Sequence, residues 1–270
     1  MKTPWKPANP SALYILVLLL FFVPVLFLLK ERDMKEVSEQ PILPSESEMP
    51  DFTAIVDIEL KKQVFFDYFE PFIDVVNARI IEDRERILAI RNKVALGNRL
   101  TSGDRRYLES LAERYELEAD NLRSEEFLNV LLRRVDKIPA SLALAQAANE
   151  SAWGTSRFAQ DGNNLFGQWC YSDGCGIVPS RRRQGASHEV KSFDSVLESV
   201  EAYIHNLNTF PSYQMLRRIR QQLRQQNRPV DGISLADGLE SYSSRGLDYI
   251  EELQNMIYSN NLLARDKPAL

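Results

Sequence analysis

Apolar residues follow different patterns in three parts of this 270-residue chain. Residues 11–29 are apolar and carry no charged side chain, which is typical of a membrane-spanning helix. From residue 52 onward, apolar residues recur mainly at helical spacing, with polar residues between them. After Gly167, glycines and β-prone side chains replace that spacing over a short stretch, which predicts a hairpin or a small sheet. The pattern therefore predicts an α+β, predominantly helical protein with a membrane anchor.

The apolar segment of residues 11–29 has two interpretations. A cleaved signal peptide would have a shorter apolar core and an A-x-A-like site, and no such site precedes Lys30. An uncleaved anchor is therefore favoured. Basic residues flank the segment on both sides, so the positive-inside rule does not determine its orientation. Residues 31–51 are acidic and contain prolines, which indicates a disordered linker.

Helices are predicted over most of residues 52–134. Between residues 52 and 95 the apolar spacing is helical, and Pro71 is expected to break or kink this segment into two helices. An aromatic cluster in this segment favours core packing over a glycan platform, because it covers one face and a turn: Phe65, Phe66, Tyr68, Phe69 and Phe72. Residues 100–104 offer caps for a helix over residues 105–115, and residues 121–134 predict another.

The next helix is apolar on nearly every side and is predicted to be buried. It begins at Pro139, whose fixed φ suits a first helical turn, and Gly154 is in position for a C-cap. Glu150 lies at its end. The helix macrodipole and burial both disfavour a charged carboxylate there, so the pKa of Glu150 is expected to rise, as a general acid requires. The alternative is a solvated glutamate in the last turn.

Two motifs surround this helix end. Residues 145–154 read A-Q-A-A-N-E-S-A-W-G, and residues 162–167 read G-N-N-L-F-G. Together they resemble the N-acetylglucosaminidase domain of family 73 of the glycoside hydrolases. The departures are small: Ala152 stands where glycine is commoner, and Gln168-Trp169 replaces an Ile-Lys type pair. The resemblance implies a lysozyme-like domain with a small β-lobe, which hydrolyses the β-1,4 bond after N-acetylglucosamine in peptidoglycan without a metal or cofactor.

The resemblance also implies catalytic roles. Glu150 would be the general acid. The second group would be either a carboxylate, for which Glu189 is the candidate, or the acetamido oxygen of the substrate itself. The alternative for Glu189 is an exposed strand glutamate paired with a lysine or arginine, and Asp173 is most simply a turn residue.

Residues 241–249 resemble the S-Y-A-T-D-P-x-Y motif of the family, although Arg245-Gly246 replaces Asp-Pro. The motif predicts that Tyr242 is catalytic and orients the acetamido group. The remaining family positions predict substrate-binding residues: Trp153, Asn164, Phe166, Gly167 and Tyr249.

Helical spacing returns after the predicted sheet. Residues 188–193 alternate like a strand, and Asp194 or Ser195 is expected to cap the next helix. Residues 213–228 predict a basic amphipathic helix whose charges form a solvated face, with Leu216, Ile219 and Leu223 directed inward. A short helix from residue 235 and a last one over residues 248–262 complete the prediction.

Cys170 and Cys175 bracket the residues Tyr-Ser-Asp-Gly. They would be free thiols in a reducing compartment and a tight local disulfide in an oxidising one. A zinc site is the least favoured choice, because neither His188 nor His205 completes a recognised ligand spacing. The substrate implied by the resemblance lies outside the cytoplasm. It therefore predicts an N-in topology, a periplasmic domain and a Cys170–Cys175 disulfide.

The predicted organisation is an anchor, a linker, a helical region, a lysozyme-like domain and a tail, at residues 1–30, 31–51, 52–128, 129–262 and 263–270. The expected partners are peptidoglycan glycan strands and the inner membrane through residues 11–29; the sequence does not predict protein partners. The net charge of −5 argues against nucleic-acid binding. Two alternatives remain: a muramidase or lytic transglycosylase on a similar scaffold, and a non-catalytic wall-binding scaffold.

Overall fold

The computed structural model describes residues 43–44, 49–180, 182 and 185–267. The predicted anchor and most of the predicted linker lie outside these residues. Within the described ranges, every helix is too short or too polar to span a membrane. The described residues all belong to one compact unit, Ile42–Leu270.

These residues are predominantly helical and include a small sheet, as predicted, which is consistent with a lysozyme-like domain. The α-helices in chain order are α1 (Ile58–Ala95), α2 (Ser102–Arg114), α3 (Glu125–Arg134), α4 (Ala140–Glu150), α5 (Arg157–Gly162), α6 (Val196–Thr209), α7 (Gln214–Gln225), α8 (Gly232–Ala236) and α9 (Leu247–Ser259). Short 3-10 helices occupy Pro211–Tyr213 and Leu262–Arg265.

Helix α1 continues through Pro71 as a single element. The expectation that Pro71 divides this segment into two helices is wrong. A proline inside a helix costs about 3 kcal/mol, whereas each large apolar side chain that is fully buried contributes about 1.5–3 kcal/mol. Phe65 and Phe69 before the proline and Phe72 and Ile73 after it are fully buried, so packing on both sides offsets the loss. The aromatic cluster belongs to this core, as predicted.

Side-chain caps determine where several helices begin. Thr101 and Asp104 form a reciprocal capping box, so α2 begins earlier than the predicted residue 105. Ser124 caps α3, which begins later than the predicted residue 121. Ser195 rather than Asp194 caps α6 by accepting a hydrogen bond from Glu198 N. The caps at Thr101 and Ser195 were among those offered by the sequence, because a cap acts within three residues, whereas the cap at Ser124 was not predicted.

Helix α4 lies at the centre of the packing, in contact with α1, α8, α9 and the Leu262–Arg265 helix. Its residues from Ala140 to Ala148 are buried, as predicted. Small side chains permit close contact here: a Cβ on Gly232 of α8 would lie 2.2 Å from Ser141 Oγ. Pro139 is the N-cap rather than the first helical residue, because its ψ of 139° is extended.

The C-terminal residues pack against the domain instead of forming a free tail as far as residue 267. Asp266 Oδ1 accepts a hydrogen bond from Ser141 N at 2.8 Å, and Oδ2 accepts one from Ser141 Oγ at 2.7 Å. Arg265 forms ion pairs with Asp67 and Glu70 of α1 at 2.7 and 2.5 Å. Asp266 thus connects this segment to the first turn of α4, and Arg265 connects it to α1.

The sheet follows α5 and contains β1 (Trp169–Cys170), β2 (Gly176–Ile177) and β3 (Glu189–Lys191) in the antiparallel order β1-β3-β2. We refer to these strands and the loop between β1 and β2 as the β-lobe. Val190 of the central strand pairs with Trp169 on one side and Ile177 on the other. A Cβ on Gly176 would lie 2.0 Å from Val190 O, so this pairing requires glycine.

The charged face predicted for residues 213–228 is only partly solvated. Arg217 and Arg220 of α7 are buried, with 4% and 1% exposure. Arg217 Nη1 donates to Leu207 O and Phe210 O at the end of α6, both at 2.9 Å. Carbonyl groups in the last turn of a helix have no partner within that helix. Arg217 satisfies two such groups at once, which explains why a charged side chain is buried.

Candidate active site

Glu150 is the last residue of α4, and its side chain is half-buried. Burial raises the pKa of the Glu150 carboxyl, and the negative charge of Glu252 acts in the same direction. Hydrogen bonds with Tyr249 and Asn149 oppose the rise without cancelling it. The upward shift keeps more of the carboxyl group protonated near neutral pH, which is the state that a general acid needs.

A chain of hydrogen bonds between buried side chains leads to Glu150. Tyr203 Oη on α6 donates to Gln146 Oε1 on α4 at 2.6 Å. Gln146 Nε2 donates to Tyr249 Oη on α9 at 2.9 Å. Tyr249 Oη in turn donates to Glu150 Oε1 at 2.8 Å. We call Tyr203, Gln146 and Tyr249 the relay; it holds one oxygen of the carboxyl group from inside the protein.

The sequence predicted a role for Tyr249 but none for Gln146 or Tyr203. A local signal for Gln146 was present. It is a polar residue in an otherwise apolar helix, four positions before Glu150 and therefore on the same face. A buried amide needs hydrogen-bond partners, so its position pointed to a network. Tyr203 had no such signal, since 57 positions separate it from Gln146.

The second oxygen of Glu150 lies beside the G-N-N-L-F-G turn. A Cβ built on Gly167 would lie 3.6 Å from Glu150 Oε2, so the backbone of this residue passes directly alongside the carboxyl group. Gly167 is exposed and has a φ of +65°, a conformation that favours glycine. Glu150 therefore has Oε1 directed toward the relay and Oε2 beside an exposed turn.

Tyr242 connects this turn to the relay. Its hydroxyl donates to Phe166 O at 3.0 Å, and its ring stacks on that of Tyr249 with centroids 5.6 Å apart and planes 3° apart. The Phe166 ring stacks in turn on Tyr203, with a centroid distance of 3.8 Å. Burial raises the pKa of Tyr242 well above its usual value, so the hydroxyl remains a neutral donor.

Comparison with known proteins identifies the family. The sequence model of the glucosaminidase family, described as mannosyl-glycoprotein endo-beta-N-acetylglucosaminidase, matches residues 129–262. The protein Bax of Escherichia coli strain K12 is 33% identical over 217 residues, which cover 80% of this chain and 76% of Bax. The chain belongs to the glucosaminidase family. No solved structure matches it significantly.

Membership in the glucosaminidase family, predicted from the two motifs, is thereby confirmed. Glu150, the relay and the turn at Gly167 all lie inside the residues that the family model matches. The family motifs therefore coincide with a physical cluster: a carboxyl group of raised pKa, a hydrogen-bonded tyrosine and a glycine turn.

Two predicted substrate-binding residues are buried, and their side chains make contacts inside the protein. Asn164 is 2% exposed; its Nδ2 donates to Gln168 O and Lys191 O, both at 2.8 Å, and its Oδ1 accepts from Gln168 N. Phe166 is also 2% exposed and stacks on Tyr203. Both side chains hold the turn at Gly167 in place from within, and their predicted role in substrate binding stays a prediction.

Trp153 packs against α1 and lies between Ala152 and Gly154 in a segment of three positive-φ residues. Its ring lies edge-on to Phe65 and Phe66, with centroids 5.6 and 5.4 Å away, and it is half-buried. Gly154 is not the C-cap as predicted; Ser151 is, and its Oγ accepts a hydrogen bond from Gly154 N. A Cβ on Gly154 would lie 2.5 Å from the ring of Phe52, so glycine is required there by packing as well.

Glu189 is buried, with 6% exposure, and is not the exposed strand glutamate that one prediction described. Its Oε1 accepts a hydrogen bond from Gly174 N at 3.2 Å and its Oε2 from Gly176 N at 2.9 Å. The carboxylate thus holds the loop between β1 and β2. Its contacts are those of a structural residue and do not support the predicted catalytic role.

Cys170 and Cys175 are joined by a disulfide that closes the same loop. Ligand atoms of these two residues and Glu189 lie within 4.8 Å of one another. Bonded sulfurs are not thiolates and do not bind a metal ion in this state. In the described part of the β-lobe, the disulfide and Glu189 therefore stabilise one loop together.

Trp169 is a candidate ligand contact that the sequence did not single out. It is 57% exposed on β1, and its ring stacks on His188 with centroids 4.5 Å apart and planes 16° apart. An exposed aromatic ring held by a stacked neighbour presents a rigid apolar face. The motif comparison had identified this position only as a departure from the family's usual residue.

Proposed function

We propose that this protein hydrolyses the β-1,4 bond on the reducing side of N-acetylglucosamine in peptidoglycan, with Glu150 as the general acid. The observation that carries the proposal is the environment of Glu150 in a chain of the glucosaminidase family. Its pKa is raised by burial, and one oxygen lies beside an exposed turn. A protonated carboxyl group that can reach the leaving oxygen is what cleavage of a glycosidic bond requires.

The relay determines which oxygen carries the acidic proton. Because Gln146 Oε1 accepts from Tyr203, the other end of the amide donates to Tyr249. A tyrosine hydroxyl has one proton, and that of Tyr249 is donated to Glu150 Oε1. The carboxyl proton is then held on Oε2, the oxygen beside Gly167. In the proposed reaction this proton goes to the leaving glycosidic oxygen.

Two groups could act with Glu150 at the anomeric carbon: a carboxylate that activates water, or the substrate's own acetamido oxygen as the nucleophile. Glu189 is buried and accepts two backbone hydrogen bonds, which favours the acetamido oxygen. The acetamido oxygen would bond to the anomeric carbon as the leaving oxygen takes the proton of Glu150. Water would then open the resulting oxazolinium ion and return a proton to Glu150. Tyr242 would orient the acetamido group beside the turn.

The proposed site of action is the periplasm. Residues 11–29 would anchor the protein in the inner membrane with the N-terminus in the cytoplasm. The disulfide between Cys170 and Cys175 suits an oxidising compartment. Trp169 would stack on a sugar ring of the glycan strand.

Mass spectrometry of digested peptidoglycan tests the proposal. Purified sacculi are incubated with residues 42–270 and, as a control, with the same fragment carrying Glu150→Gln. Reducing N-acetylglucosamine ends, formed only by the wild-type fragment, are the expected products. Reducing muramic acid ends would identify a muramidase instead, and anhydro ends a lytic transglycosylase. Binding to sacculi without cleavage would identify a scaffold.

A further inference from the structure

A pocket of about 220 Å³ lies between α1, α3 and α7, and it shares no lining residue with the site around Glu150. Its charged lining consists of five arginines and one aspartate: Arg84, Arg91, Arg133, Arg220, Arg224 and Asp136. We call it the arginine pocket. Cationic groups outnumber the single carboxylate by four, in a chain whose net charge is −5. The excess of positive charge is therefore a local property of this pocket, and the composition of the chain does not explain it.

Part of the cluster has a structural role at the end of α3. Arg224 binds both oxygens of Asp136 with its Nε and Nη2, each at 2.5 Å. Arg220 Nη1 donates to Asp136 O and Lys137 O, both at 3.0 Å, and Arg84 Nη1 donates to Val135 O at 3.0 Å. The last carbonyls of a helix attract such donors. These bonds account for the presence of three guanidinium groups but neutralise only one of their charges.

The positive charges of the other two arginines, Arg91 and Arg133, are not neutralised by Asp136. Arg133 Nε donates to the neutral amide oxygen of Gln221 at 2.8 Å. Among the described residues, the carboxylate of the pocket pairs with Arg84, Arg220 and Arg224 and not with Arg91 or Arg133. Both side chains are half-buried and lie on different helices, α1 and α3. They contribute positive charge to the pocket without a partner that cancels it.

Arg220 has a buried N–H group that lacks a partner among the described residues. It is 1% exposed, and its Nε has no hydrogen-bond acceptor in the described part of the chain, because Asp136 Oδ2 is 3.7 Å away. Buried N–H groups without an acceptor are rare in folded proteins. The pKa of Arg220 is lowered to about 10: burial is the main cause, the charge of Asp136 opposes it, and the charges of Arg84 and Arg224 act with burial. An additional anion would relieve this repulsion.

We propose that the arginine pocket binds a small oxyanion, either a carboxylate or a phosphate group. The planar guanidinium group matches both by paired, charge-assisted hydrogen bonds. The volume suits one such group with a few water molecules. Arg91 and Arg133 would supply the charge that Asp136 leaves uncompensated. The proposal does not depend on glycosidase activity, so the two can fail separately.

Titration of the full-length protein in detergent tests the proposal with two probes. They are sodium phosphate and the dipeptide acetyl-alanyl-alanine, which ends in a free carboxylate. Sodium chloride at equal ionic strength and the amide of the same dipeptide are the controls. A ligand that binds only the native state raises Tm, and above Kd the stabilisation grows with the logarithm of the ligand concentration. We expect this rise with at least one probe and with neither control.

Substitutions locate the site. Arg91→Gln and Arg133→Gln should each raise the Kd by about tenfold, which is the usual effect of losing one hydrogen bond to a charged group. Arg106→Gln, an exposed position on α2 outside the pocket, is the matched control and should keep the wild-type Kd. The probe with the lower Kd identifies the source as a phosphate or as a peptide carboxylate.

The proposal is overturned if neither probe raises Tm above the value in its control, or if both pocket variants bind as the wild type does. A spectroscopic measurement on the unmodified protein avoids dependence on variant folding. The NMR signal of the Arg220 Nε–H group should shift during the titration and reach a plateau with the bound probe. A signal that does not move would place the bound anion elsewhere and exclude the arginine pocket.

Discussion

The Tyr249 hydroxyl donates to Glu150 Oε1 at 2.8 Å, while a Cβ on Gly167 would lie 3.6 Å from Oε2. The two oxygens of one carboxyl group therefore have different surroundings. Oε1 accepts a hydrogen bond from a residue inside the protein, and Oε2 lies beside an exposed turn. The asymmetry makes Oε2 the oxygen from which a proton can leave, and it leads to the first two predictions.

Glu150→Gln should preserve the fold and reduce turnover by about a hundredfold to ten-thousandfold, the usual contribution of general acid catalysis. The amide has nearly the shape of the carboxyl group and can still accept the hydrogen bond of Tyr249, but it does not donate an acidic proton. Product release from sacculi measures activity, and circular dichroism checks the fold. Turnover at the wild-type rate would refute the assignment of Glu150.

The same variant should change how stability depends on pH. The folded-state pKa of Glu150 is raised above its ordinary value of 4.5, mainly by burial. The native state therefore binds the proton more tightly than the unfolded chain, and this contribution is fully present below that ordinary value. It is lost as pH rises through the raised folded pKa. Relative to wild type, Glu150→Gln should gain stability between acidic and neutral pH, which urea unfolding at several pH values measures.

Tyr203→Phe should impair the enzyme through the relay without touching the substrate. Gln146 Oε1 would lose its donor, and Tyr249 would no longer be held as a donor to Glu150. Since that hydrogen bond lowers the pKa of Glu150, its loss should move the basic limb of the kcat/KM profile to higher pH. We expect about a tenfold loss of kcat.

Tyr107→Phe is the matched control for this experiment. It also removes a tyrosine hydroxyl that is hydrogen-bonded, in this case to Asp83 Oδ1 at 2.6 Å on the α1–α2 contact. It should alter stability but not the pH profile. If both variants lose activity without any shift in the profile, the role of Tyr203 is structural only.

Glu189→Gln should destabilise the β-lobe, because an NH₂ group would replace one of two oxygens that accept backbone N–H groups of the loop. The loss should be about 1–3 kcal/mol in the free energy of unfolding, with turnover reduced much less than in Glu150→Gln. Chemical denaturation and product release are compared with those of Glu251→Gln, an exposed position on α9. A stable Glu189→Gln protein without turnover would instead make Glu189 the second catalytic group.

Trp169→Ala should weaken binding to purified peptidoglycan by about tenfold, the equivalent of a lost aromatic stacking contact of roughly 1–1.5 kcal/mol. The indole is 57% exposed and held by His188, so its removal should not disturb the core. Tyr258→Ala is the control, because that ring is 80% exposed on α9. A sedimentation assay measures binding; equal affinity in the two variants would exclude Trp169 as a glycan contact.

The sequence by itself determined the features that depend on near neighbours. Thr101 and Ser195 cap their helices through residues three positions away. The burial of α4 followed from its apolar composition, and the raised pKa of Glu150 from its place at the end of that helix. The motifs identified the family because they place that glutamate and the glycine turn close together in the chain.

Only the tertiary structure decided which distant groups meet. Tyr249 and Gln146 are 103 positions apart, and their contact depends on how α9 packs against α4. Arg220 is buried because the carbonyl oxygens of Asp136 and Lys137, just after α3, accept its hydrogen bonds, whereas an amphipathic pattern predicts a solvated charge. Pro71 remained inside a continuous helix because side chains on both sides of it are buried by other elements. At each of these positions, packing and long-range hydrogen bonds outweighed the conformational preference of the local sequence. These contacts join residues far apart in the chain, so a pattern of neighbouring residues does not predict them.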